Sequence, residues 1–75
     1  MFDLSKPETI ETIFTYHAPK GDQPAKYEEI RTAAKAMAHT IVRNTPAGPD
    51  QSAAIRHLRE AVMTANAAIA LDGKF

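Results

Sequence analysis

The chain has 75 residues, nine basic and nine acidic side chains, and no cysteine. A domain this small buries only about 60% of its unfolded surface and is marginal without a disulfide, a metal or self-association. The missing cysteines exclude disulfides and thiolate metal sites, His17, His39 and His57 show no i, i+4 ligand pair, and zero formal charge argues against binding a nucleic-acid polymer; self-association is the support that remains.

Ser5-Lys6-Pro7-Glu8 reads as a capping box with proline in the first turn, predicting a short helix over about Lys6 to Thr15 with Ile10, Ile13 and Phe14 on one face. Pro19, Gly21 and Pro24 around Asp22 mark a connection and a new cap. The second helix begins after Asp22, and Tyr27, Ile30, Ala34, Met37 and Ile41 repeat with the 3-4-3-4 spacing of a helix-pair seam. Thr45-Pro46-Ala47-Gly48-Pro49 cannot continue a helix, which places the stop near Asn44. Asp50 is the expected cap of a third helix, whose seam is Ile55, Leu58, Val62, Ala65 and Ile69, with Gly73 as its stop. Two helices of about twenty residues, each ~30 Å long, joined by a short turn must lie antiparallel. The expectation is an all-α chain, one domain over 1–75: a short N-terminal helix and loop (1–22), then a hairpin of two long helices (23–44 and 50–72).

A two-helix hairpin leaves much surface over, and here that surface is rich in alanine, with Ala54, Ala61 and Ala68 forming a heptad-spaced stripe. Small side chains let helix axes approach closely, so a helical homo-oligomer is expected, although alanine is also simply the best helix former. Asn66, between Ala65 and Ala67, either faces water or hydrogen-bonds across an interface.

No phosphate-binding glycine loop or nucleophile motif is present, so no enzyme, catalytic residue, metal or cofactor is expected. No secretory leader and no stretch of transmembrane length is evident, so a cytoplasmic location without membrane attachment is expected. Residues 23–48 carry four basic side chains against two glutamates, a bias that suits a small anionic ligand. Phe14-Thr15-Tyr16-His17-Ala18-Pro19 sets an aromatic ring and hydrogen-bonding groups at a helix end, followed by Lys20, Lys26 and Arg31. A ring can stack on a nucleobase and a guanidinium can take a phosphate through two parallel hydrogen bonds, which together make a minimal kit for a nucleotide. The plainer alternative is a structural or protein-interaction hairpin with no small ligand, in which Tyr16 and His17 pack the loop and Arg31 is solvated.

Phe14-x-Tyr16-His17-x-Pro19, Gln23, Tyr27, Ile30-Arg31, Glu60-Ala61-Val62-Met63 and Ala65-Asn66-Ala67-Ala68-Ile69-Ala70 together resemble the phage-encoded hairpin-domain family of cyclic-nucleotide sponges, which antagonise the CBASS and Thoeris defences. The likeness spans roughly residues 14–70. It implies a homo-hexamer that sequesters cyclic dinucleotides such as cGAMP without cleaving them, in the cytoplasm of an infected bacterium. Cyclic trinucleotides and cyclic ADP-ribose isomers are further candidate ligands. The positions matching the family's aromatic and basic ligand contacts are Tyr16 and Arg31, with His17 and Lys26 as further candidate binding residues. Leu71 stands where a basic residue often follows the A-N-A-A-I-A motif, a departure that bears on a second, trinucleotide pocket, and Thr64 stands where the family often has a Trp.

Overall fold

A computed structural model describes residues 3–74, which form three helices and, among those residues, no strand. The order is α1 (Pro7–Phe14), α2 (Gln23–Asn44) and α3 (Pro49–Ala70). The two 22-residue helices pack against each other as a hairpin, giving a body of 45 × 30 × 17 Å.

Proline decides where two of the helices begin. A residue before proline is pushed out of the α region, so it becomes the extended residue just outside the helix. Lys6 (φ −95°, ψ 120°) therefore precedes α1 at Pro7, and the expected Ser5 cap falls one position too early. The Ser5 hydroxyl and amide instead donate to Asp3 Oδ1 at 2.6 and 2.9 Å, which holds the Asp3 carboxyl below its usual range. The same rule makes Gly48 the residue before α3, leaving the expected cap Asp50 inside the first turn. Asp22 does precede α2, but its carboxylate makes no capping bond and pairs with Lys26 Nζ at 3.3 Å.

The α3 seam matches the expected pattern: Ile55, Leu58, Val62, Ala65 and Ile69 are all half-buried. On α2 the half-buried residues are Gln23, Tyr27, Ile30, Ala34, Ala38 and Ile41, while Met37 is 49% exposed. At about 100° per residue, eleven residues return a straight helix to within ~20°, so Ala38 lies nearly beneath Tyr27 and the strict heptad position has rotated away. On α1 the expected apolar face is also turned. Thr9 is buried, Thr12 and Ile13 are half-buried, and Ile10 and Phe14 face solvent.

Gln51 secures the hairpin turn by donating from Nε2 to the Thr45 carbonyl and hydroxyl, both at 3.0 Å. At the far end, Gly73 N–H donates to Ala68 O at 2.9 Å and Asp72 N–H to Ile69 O at 3.2 Å, the paired bonds of a Schellman stop. The residue in the left-handed position usually taken by glycine is Asp72 (φ 55°), with the expected stop residue Gly73 (φ 71°) following it. Asp72→Gly relieves that strain at some cost in unfolded-state entropy, for an expected gain of about 0.5 kcal/mol and a Tm rise of about 2–4 °C by circular dichroism. A lower Tm would show that the Asp72 side chain itself ties the end down.

Among the described residues no hydrophobic side chain is buried; Thr9 alone is, at 5% exposure. Asn66 Oδ1 is shielded from solvent yet lacks any hydrogen-bond partner, so within one protomer it meets neither of the two expectations for it. An unpaired buried acceptor costs about 1–3 kcal/mol. Asn66→Ala is therefore expected to raise Tm by about 4 °C or more; a fall would show that the amide is satisfied in the assembled protein.

Candidate functional site

Two regions collect the polar side chains that could hold a ligand. The first lies where the α1–α2 connection meets the end of α3. Gln23, the first residue of α2, bridges the two: its Oε1 accepts from Lys20 N–H and its Nε2 donates to Ile69 O, each at 3.1 Å. His17, half-buried, bonds through Nε2 to Thr12 O at 2.8 Å. A carbonyl only accepts, so Nε2 carries the proton in this contact. Around these ties sit two adjoining concavities. The larger is lined by Lys20 and Lys26 against Asp22 and Asp72; the smaller has Lys20 and Lys74 against Asp72. The carbonyl end of a helix also carries partial negative charge. Charge in this region is therefore close to balanced, and it favours an anion weakly.

The second region is the hairpin itself. Two grooves share Ala34, Leu58 and Val62, so they flank the seam on opposite sides. One flank, with Ile30, Ala33, Met37, Ala61 and Ala65, has no charged lining residue. The other has an apolar floor that includes Ile55 and Met63, with Arg31, Lys35 and Arg59 around it and no carboxylate among its lining residues. Helical spacing produces this division: Arg31 and Lys35 are one turn apart on α2, as are Ile55, Arg59 and Met63 on α3. The hairpin thus has an apolar flank and a cationic flank.

The four residues singled out from the sequence are not gathered in one place within a protomer. His17 and Lys26 belong to the balanced junction, and Lys26 is already paired with Asp22. Arg31 belongs to the cationic flank, where its Nη1 meets Glu28 Oε2 at 3.1 Å with both side chains well exposed. Tyr16 lies between α1 and α2, 83% exposed, and lines neither the junction concavities nor the two grooves. His39 and His57 are exposed, and His57 Nδ1 comes within 3.8 Å of Glu60 Oε2. Among the described residues no group of three His, Cys, Asp or Glu side chains could hold a metal, and no helix is long and apolar enough to cross a membrane.

Sequence reasoning passed over Lys35 and the bridging role of Gln23. Lys35 could have been noticed as the residue one turn after Arg31, whereas the Gln23 bridge spans 46 residues and has no local signal.

Against known protein families, the model described as "Acb2/Tad1, hairpin domain" matches residues 6–70. Comparisons with curated proteins and with solved structures give no match.

Proposed function

This chain belongs to the Acb2/Tad1 hairpin-domain family of anti-CBASS and anti-Thoeris sponges, and on that premise we propose that it binds cyclic dinucleotides such as cGAMP and holds them intact. The family's general role is that of a phage cyclic-nucleotide sponge, a binding protein rather than an enzyme. The observation that carries the finer reading is the cationic flank: Arg31, Lys35 and Arg59 over an apolar floor, with no carboxylate lining it. A cyclic dinucleotide presents two phosphodiesters and two flat bases, so it needs cations and apolar surface side by side.

Arg31 serves a phosphate in this reading, and Tyr16 stacks on a base. Because Tyr16 does not line the Arg31 groove within one protomer, the pocket is completed between copies, with Tyr16 of one protomer reaching the Arg31 flank of its neighbour. The opposite, uncharged flank suits the packing of copies into a homo-hexamer, since Met37 on it is 49% exposed and no apolar side chain among the described residues is buried. His17 and Lys26 shape the connection from which Tyr16 projects. Blocking of CBASS signalling in the cytoplasm of an infected bacterium would follow from sequestration alone.

A thermal-shift screen against cyclic dinucleotides, cyclic trinucleotides and cyclic ADP-ribose isomers tests this. A ligand that binds only the folded assembly at 100 times its dissociation constant adds about 2.7 kcal/mol, which for a chain this size is a Tm rise of about 11–22 °C. A flat response across the panel would instead favour the ligand-free interaction hairpin.

A further inference from the structure

We propose that Lys35 and Arg59 are ligand-binding residues, forming with Arg31 a three-cation cradle for the phosphates of the bound nucleotide. This rests on the sponge reading above and extends it to residues on both long helices. Three features of the flank support it. First, among the described residues neither Lys35 nor Arg59 has a carboxylate within salt-bridge distance, whereas Lys26 and Arg31 are each paired. Like charges gathered without counter-charges repel one another, and an anion placed among them relieves that repulsion. Second, the cations come from opposite walls, Arg31 and Lys35 from α2 and Arg59 from α3. An anion between them is therefore gripped across the seam, not touched from one side. Third, Glu28 offsets part of the charge on Arg31 alone, which leaves a net charge of about two on the flank. That equals the charge of two phosphodiesters.

Solvated lysines and arginines are ordinary on helix surfaces, and a variant series separates that case from this one. Calorimetric titration with cGAMP is carried out on the full-length wild type, Lys35→Gln, Arg59→Gln, the double variant and Arg43→Gln. Arg43 lies near the far end of α2, hydrogen-bonded only to Thr40 Oγ1 at 3.5 Å, and serves as a control of equal charge. Charge-assisted hydrogen bonds are worth about 1.5–3 kcal/mol, so each single variant is expected to weaken binding about tenfold or more, the double variant about hundredfold, and Arg43→Gln less than twofold. Circular dichroism melts check that all variants keep the wild-type fold. Lys35→Gln and Arg59→Gln binding like Arg43→Gln, with the wild type binding well, would overturn the cradle and leave the sponge reading standing. No binding by the wild type to cGAMP or to the cyclic nucleotides of the screen would overturn both.

Discussion

Arg31→Ala is expected to weaken cGAMP binding at least hundredfold without changing the oligomeric state. A guanidinium holds a phosphate through two parallel charge-assisted hydrogen bonds, each worth about 1.5–3 kcal/mol, and alanine removes both. The resting partner of Arg31 is Glu28 at 3.1 Å, with the two side chains 59% and 66% exposed. Exposed pairs of this kind contribute only about 0.2–1 kcal/mol. A phosphate therefore outcompetes Glu28, and Glu28→Gln should tighten binding by roughly twofold to fivefold. Arg31→Lys keeps the charge but loses the planar fork, so it should fall between wild type and alanine. Calorimetry with size-exclusion chromatography reads all three variants; unchanged affinity in Arg31→Ala would remove Arg31 from the site.

Tyr16→Ala should weaken binding, by less than Arg31→Ala, and cost almost no stability. Base stacking on an aromatic ring is worth about 1–3 kcal/mol per base, or roughly fivefold to more than hundredfold in affinity. The ring is 83% exposed, so little packing is lost with it in the unliganded protomer. Tyr16→Phe keeps the stacking face and should bind close to wild type. His17→Ala provides the contrast: it removes the bond to Thr12 O and should loosen the α1–α2 connection, lowering Tm. A Tyr16→Ala variant that loses several degrees of Tm and no affinity would mean the ring is a packing residue.

The contrast between adjacent residues 16 and 17 shows what the sequence could and could not disclose. Both sit in one short motif, and both were candidates for the site and for loop packing alike. Local pattern cannot say which side chain turns inward; the hydrogen bond to Thr12 does. The helices themselves were legible because proline, glycine and apolar spacing act locally. Three details escaped for identifiable reasons. The capping box points to Ser5, but the extended residue before Pro7 must be Lys6. A strict heptad puts Met37 in the seam, but a straight helix does not follow that repeat for three turns. The apolar spacing puts Ile10, Ile13 and Phe14 on one face, but α1 turns Thr9, Thr12 and Ile13 inward and leaves Ile10 and Phe14 in solvent.

The cationic flank was the least legible feature. Arg31 stood out through the family-like motif, and Lys35 follows it by one helical turn. Their meaning depends on Arg59, 28 positions after Arg31, lying across the seam. That juxtaposition depends on how α2 and α3 are staggered, which the turn and the seam packing fix together and no short window of sequence displays.

Sequestration itself is tested most directly by recovering the ligand. The protein is saturated with cGAMP, freed of unbound nucleotide by filtration, denatured by heat, and the released nucleotide is identified by chromatography. The expected result is intact cGAMP, recovered in fixed proportion to protein; hydrolysed nucleotide, or none retained, would contradict a sponge.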